Sequence, residues 1–385
     1  MDYFLSEEQK MLVELAKKFA HEKIKPVREE FDEKEEFPWS VIEEFAKTDL
    51  AGVYIPAEYG GMGMGVFDLC VVVEELSKID GSISLSLAAT ALGTFPILLF
   101  GTDDQKKKYL PGIASGKKLA AFGITEPNAG SDAGAIQTSA KKEGDSYILN
   151  GTKCFITNAG EAEVYTVIAM TDKTKGPRGA SCFIVEKGTP GFTFGKKEKK
   201  MGIRSSSTRE LIFNNCKIPK ENLLAKEGMG FIVAMKTFDA SRPGVAAQAL
   251  GIAAGALDDA VDYSRKRVQF GQPISGFQAI QHILADMATE VEAARALLYA
   301  TARQYDKDPS ARNTKSSAMA KLYASEVAMK TTVNAVQVLG GYGYMREYPM
   351  EKRMRDAKIT QIYEGTSQIQ RNEIAFALIK ESARK

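Results

Sequence analysis

The feature that most limits the fold is a change of period in the middle of the chain. Between residues 118 and 227, Leu119–Thr125, Tyr147–Leu149, Val164–Met170, Ser181–Val185 and Glu210–Phe213 are short β-rich runs. Gly, Pro and Asn separate them, and no helical segment intervenes. Short strands joined by turns predict a small antiparallel barrel or sandwich, not a parallel doubly wound sheet. That argues against nicotinamide binding by a glycine fingerprint. Gly61, Gly63 and Gly65 lack a surrounding βαβ unit and read as a turn. Asn150-Gly151, between Tyr147–Leu149 and Cys154–Ile156, predicts a hairpin at that point.

Helical spacing governs both flanks. Ser6 and Gln9 form a capping-box pattern before Met11, Leu12, Leu15 and Phe19. A helix near Pro38 buries Val41, Ile42 and Phe45; others follow at Phe67–Ile79 and Ile83–Phe100. After Gly228 the helices lengthen: alanine-rich Gly244–Arg265, then a helix with Ile280, Ile283, Leu284, Met287, Val291, Ala294 and Leu298 on one face, then Ala318–Leu339. The expected fold is mainly α with a central antiparallel β domain. Residues 1–117 form an N-terminal helical domain, 118–227 the β domain, and 228–385 a C-terminal four-helix bundle.

Composition removes several functions. A net charge of +2 over 385 residues leaves no concentrated basic face for nucleic acid. The one dense basic run, Lys196–Lys200, reads as a solvated loop. Cys70, Cys154, Cys182 and Cys216 are far apart, and the two histidines, His21 and His282, lie near none of them. No metal site is expected; reduced, buried thiols and a cytoplasmic location are. No apolar signal core or membrane span is apparent.

The last helix of the bundle is interrupted. A helix runs from Met350, and Ile369, Ile374, Ala377 and Leu378 mark another, while Gly365 and Thr366 break propensity between them. Glu364 therefore stands at a helix junction, where a side chain can face a cavity and backbone N–H groups stay free for a ligand. Read alone, this dipeptide is better explained by an ordinary solvated glutamate before a C-cap glycine, a reading that the rest of the chain has to overturn.

Five segments together carry more. FGITEPNAGSD (122–132), KCFITNAG (153–160), RVQFGQPISGFQ (267–278), QVLGGYGY (337–344) and RDAKITQIYEGTSQIQR (355–371) occur in this order. In order and spacing they resemble the acyl-CoA dehydrogenases, over nearly the whole chain, and the short-chain, butyryl-CoA type of bacteria most of all. The resemblance implies FAD held between the β domain and the bundle. Phe122, Ile124, Thr125, Gly130, Ser131, Phe155, Ile156 and Thr157 would wrap the isoalloxazine. Arg267, Phe270, Gln278, Gln337, Val338, Leu339, Gly340 and Gly341 would hold the pyrophosphate and adenosine of an FAD bound largely by a neighbouring subunit. Thr366, Ser367 and Gln368 match further flavin contacts. Phe155 departs from members that carry Trp there and loses an indole N–H.

The same resemblance implies Glu364 as the base that removes the α-proton of an acyl-CoA thioester, the β-hydrogen leaving as hydride. Ser131, Asp239, Arg242, Tyr363 and Gly365 match substrate positions, and residues 84–96 the floor of the acyl pocket. Electron-transferring flavoprotein is the implied partner and a homotetramer, a dimer of dimers, the implied assembly. An enoyl-CoA reductase would use the same residues in reverse. An oxidase is disfavoured by chain length, and a silent flavin- or CoA-binding protein by the presence of Glu364.

Overall fold

The computed structural model describes residues 2–383. Six helices open the chain: α1 (Glu7–Phe19), α2 (Arg28–Lys34), α3 (Trp39–Phe45), α4 (Val66–Ile79), α5 (Gly81–Phe100) and α6 (Asp103–Ala114). The Ser6 capping box is formed. In the turn at 60–65, backbone N–H groups of Gly61, Met62 and Gly63 are spent on carbonyls of Pro56, Gly52 and Ile55, which leaves no phosphate cradle. Helix α5 is long and apolar enough to cross a membrane, but most of it is buried inside the protein, as a core helix.

Eight strands follow: β1 (Ala120–Gly123), β2 (Ser139–Glu143), β3 (Ser146–Thr157), β4 (Val164–Met170), β5 (Ala180–Glu186), β6 (Phe192–Phe194), β7 (Thr208–Pro219) and β8 (Leu223–Leu224). They form one sheet of order β6-β7-β3-β2-β4-β5-β8, with β1 beside β4. Most pairings are antiparallel; β1 and β2 each meet β4 in parallel. The core of this domain includes Tyr147, Leu149, Tyr165, Phe183, Leu211 and Phe213.

The hairpin expected at Asn150-Gly151 is not there. Both residues lie inside the single strand β3, where the register against β7 slips between Leu149 and Gly151. A Cβ on Gly151 would sit 2.6 Å from Thr138 Oγ1, so the glycine serves a bulge packed against its neighbour. The turn is one segment earlier, at Gly144-Asp145 between β2 and β3. Strand β2 reads SAKKE, too charged to be seen as a strand, and missing it displaced the hairpin. The basic run at 196–200 is also only partly solvated: Lys197 donates to the Glu35 carbonyl and Lys200 to that of Ser206. All four cysteines are buried and unpaired.

The bundle comprises α7 (Gly230–Lys266), α8 (Gln278–Lys307), α9 (Thr314–Leu339), the short α10 (Gly341–Tyr344), α11 (Met350–Thr360) and α12 (Ser367–Ser382). A small ribbon, β9 (Val268–Gln269) and β10 (Gln272–Pro273), lies between α7 and α8. Helix α7 packs on α8, α9 and α11 and also on α4 and α5, so the N-terminal helices and the bundle share one continuous core. Pro243 sits inside α7 and cannot donate to the carbonyl of Asp239 four residues back. Ser317 Oγ on α9 takes that carbonyl instead, at 2.9 Å. The backbone break falls beside Ser241 and Arg242, where the chemistry gathers.

Candidate active site

Helices α11 and α12 are joined by residues 361–366, and Glu364 and Gly365 in this joint both have positive φ, 49° and 92°. Positive φ is uncommon for a residue with a Cβ, and it turns the Glu364 side chain back toward α7. Gln370 Nε2 holds the carbonyls of Glu364 and Gly365, at 3.0 and 2.9 Å. Lys321 Nζ, from α9, donates to the Gly365 carbonyl at 2.7 Å. Tyr363 OH donates to Gln248 Oε1, whose amide in turn donates to the Gly81 carbonyl at the start of α5. Three helices thus brace the joint.

The half-buried Glu364 carboxyl receives a hydrogen bond from Ser241 Oγ at 2.7 Å. Burial raises its pKa above the usual carboxylate range, opposed in part by the Ser241 hydroxyl and the charges of Arg242 and Lys321. Arg242 is buried over the Phe238 ring and its Nε has no partner. Asp239, also buried, accepts from Thr314 Oγ1 through Oδ2 and leaves Oδ1 unpartnered. Buried polar atoms left unpaired, as Arg242 Nε and Asp239 Oδ1 are, are costly unless a ligand meets them. Beside this centre, Leu85, Ala88 and Ala89 of α5 form an apolar cluster with Ile203, Ile359 and Tyr363. This occupies part of the stretch 84–96 read as the pocket floor.

A second group lies where β1 leaves the sheet. Phe122 packs edge-on against Phe238 of α7, 5.7 Å between ring centres. The following loop is pinned from below by Lys153, whose ammonium donates to the Ile124 carbonyl at 3.0 Å and to Glu126 at 2.7 Å. Glu126 also accepts from the backbone of Gln137 and Thr138. Burial pulls Lys153 down to about 8, against the attraction of Glu126. The register of β3 against β7 slips again between Lys153 and Ile156. There Phe155 adopts a φ of 57° and leaves its ring 69% exposed. Ile156 points into the β core, so only its backbone faces the loop side, and Thr157 is half-buried. Thr125 is half-buried, while Gly130 and Ser131 are exposed.

A third group lines a cavity of about 630 Å³ at the far end of α9. Arg267, Phe270 and Val338 to Gly341 are among its walls, with the Arg267 guanidinium 5.4 Å from the centre of the Tyr342 ring. Phe270 is 93% exposed. Gly340 has a φ of 61°, and a side chain on Gly340, Gly341 or Gly130 would meet nothing within 4 Å. For Gly341 and Gly130, neither φ nor packing inside this protomer demands glycine. Open backbone of this kind leaves room for a ligand to approach closely. Gln278 and Gln337 are exposed and do not line this cavity. Lys321 and Val338 stand 17 positions apart on α9 (338 − 321), which at the rise of a helix separates them by about 25 Å.

Of the other residues read from the sequence, Thr366 Oγ1 caps α12 by accepting from the Ile369 N–H, and the Ser367 hydroxyl donates to Glu326 at 2.7 Å. Gln368 is exposed. Sequence reading missed the braces Lys321, Gln370 and Gln248 and the pin Lys153–Glu126. One signal was available: Lys321 is a lone charge among Ala318, Ala320 and Ala324 on a buried helix face. Among the described residues, no cluster of three metal-ligating side chains occurs.

Comparison with known proteins places this geometry. Three family models match in sequence: "Acyl-CoA dehydrogenase, N-terminal domain" over residues 6–117, "middle domain" over 121–216 and "C-terminal domain" over 228–379. The chain belongs to the acyl-CoA dehydrogenase family. The structure of butyryl-CoA dehydrogenase from Megasphaera elsdenii is similar at a TM-score of 0.95, with 49% identity over 98% of this chain and 100% of that one. A chain from the structural work on the electron transferring flavoprotein of Acidaminococcus fermentans reaches 0.96, with 52% identity over 98% and 99%. Acryloyl-CoA reductase (NADH) of Anaerotignum propionicum is 48% identical, covering 99% of this chain and 96% of that protein.

Proposed function

We propose that this enzyme removes the α-proton of a short-chain acyl-CoA through Glu364 and yields the trans-2-enoyl-CoA. The observation that carries the reading is the Glu364 carboxyl itself: braced at a helix joint, hydrogen-bonded by Ser241, and held at a raised proton affinity by burial. A base for so weak an acid gains from a pKa brought nearer the working pH. The Cα–H electron pair becomes the new C=C bond, the proton goes to Glu364, and the β-hydrogen leaves with its own pair. FAD supplies the acceptor for that hydride. The chain's residues fit it: the exposed Phe155 ring, the bare backbone at Gly130, Gly340 and Gly341, and Arg267 with a guanidinium suited to phosphate oxygens. Phe122, Ile124, Thr125, Gly130, Ser131 and 155–157 are the flavin-side residues, joined by the backbone of Thr366 to Gln368. Asp239, Arg242, Tyr363 and Gly365 are the substrate-side residues.

The separation of Arg267 and Gly340 from Glu364 along α9 supports a flavin shared between two subunits, the far cavity of one serving the site of its neighbour. The assembly is then a dimer at least, and a homotetramer on the family pattern. Electron-transferring flavoprotein is the redox partner, and buried unpaired thiols suit a reducing cytoplasm. The likeness to an acryloyl-CoA reductase favours a second reading, the same chemistry run toward saturation. Anaerobic bleaching of the bound flavin by a panel of acyl-CoAs, and reoxidation by enoyl-CoAs, tests both. A flavin that no acyl-CoA bleaches contradicts the proposal.

A further inference from the structure

Lys321 is wholly buried, yet it forms no ion pair within 4.0 Å among the described residues. Its ammonium has one hydrogen-bond acceptor, the Gly365 carbonyl, and that carbonyl already accepts from Gln370. Lys321 is therefore not needed to satisfy a buried acceptor. Burying an ammonium without a carboxylate partner costs several kcal/mol, so an apolar or amide side chain would serve stability better. A residue this expensive points to the chemistry beside it.

What it touches is the second of two consecutive left-handed residues, of which Glu364 is the first. We propose that Lys321 is a positioning residue for Glu364: it fixes the Glu364–Gly365 turn from behind through its hydrogen bond to the Gly365 carbonyl. The proposal rests on Glu364 being the base. The charged groups acting on Lys321 are Glu364 from the joint, Arg242 from α7 and Glu326 from α9 itself. Glu326 is occupied by Ser367 and by Arg371 of α12. Burial brings the Lys321 ammonium down to about 7 in spite of Glu364. At and below that pH its positive charge is present and lowers the proton affinity of Glu364; above it, the amine still holds the turn.

The test compares wild type, Lys321→Met and Lys321→Gln as FAD-loaded enzymes, reduced anaerobically by butyryl-CoA across pH. Methionine keeps the length and removes donor and charge; glutamine, one atom shorter and with an added carbonyl oxygen, keeps an N–H donor and removes the charge. Lys321→Met should lose about 10-fold to 10²-fold in the rate of flavin reduction, the scale of a misplaced catalytic group. Binding of an unreactive CoA thioether should be unchanged. In both variants the acid limb of the rate should move to higher pH, because a carboxyl deprived of a nearby cation holds its proton longer. Lys321→Gln should recover part of the rate but not the pH shift. The carboxyl infrared band that Glu364→Gln removes should titrate at higher pH as well, a readout independent of turnover. Wild-type rate with an unmoved acid limb overturns the proposal, as does a loss of rate that only follows lost flavin. Should Lys321→Met fail to fold, Lys321→Gln, which relieves a buried charge, decides by the same limb. Failure of wild type to be reduced by any acyl-CoA instead overturns the functional reading, so the two failures are distinct.

Discussion

Ser241 Oγ donates to Glu364 Oε2 across 2.7 Å, from the turn of α7 immediately before the Pro243 break. The hydroxyl favours the ionised carboxyl, while burial favours the protonated one. Ser241→Ala removes the first influence and leaves the second. The carboxyl then holds its proton to higher pH, so the acid limb of flavin reduction moves up. Rates well above that limb should change little. Stopped-flow reduction from mildly acidic to mildly basic pH measures it; an unmoved limb would mean that the hydroxyl does not engage the base.

The Lys153–Glu126 pair should matter for cofactor retention more than for chemistry. Lys153→Met strips Glu126 of its buried partner, a loss on the scale of about 3–5 kcal/mol for breaking one side of such a pair. A lower melting temperature and faster loss of FAD are expected, with reduction per bound flavin nearly intact. Melting curves and flavin-to-protein absorbance ratios check this.

Arg267→Ala removes the only guanidinium that the described residues put in the wall of the far cavity. A hydrogen bond to a charged partner is worth about 1.5–3 kcal/mol, which corresponds to roughly 10-fold to 10²-fold weaker FAD binding. Mixing Arg267→Ala with Glu364→Gln subunits tests the shared site. Recovered activity in the hybrids is expected if the two residues serve one flavin from different subunits; no recovery in exchanged oligomers would place them within one.

Much of this was legible in the sequence because the signals were periodic or local. Helical spacing found α4, α5 and α8, and the glycine after Glu364 marked the joint between α11 and α12. The errors came from strands whose side chains do not alternate cleanly. Strand β2 presents three consecutive charged residues, so Asn150-Gly151 was assigned a turn that Gly144-Asp145 makes. The braces behind Glu364 stayed hidden for another reason. Lys321 and Gln248 act through tertiary contacts up to 167 residues apart, Gln370 through a local turn contact that no period marks, and only the lysine stood out against its neighbours.

The apolar cluster of Leu85, Ala89 and Ile203 beside Tyr363 should limit acyl length. Turnover is expected to peak at butyryl-CoA. Leu85→Ala opens space there and should move the optimum toward hexanoyl-CoA. A wild-type maximum at octanoyl-CoA or longer, or an unmoved optimum in the variant, contradicts this assignment of the acyl site.

The most direct measurement is anaerobic flavin reduction by butyryl-CoA in Glu364→Gln. Glutamine keeps nearly the volume of glutamate and leaves the Gln370 and Lys321 contacts to the backbone in place. Folding, FAD content and binding of a CoA ligand should therefore survive. With no carboxylate to take the α-proton, reduction should slow by about 10²-fold to 10⁴-fold, the contribution of a general base. A Glu364→Gln enzyme whose flavin bleaches as fast as wild type would contradict the account.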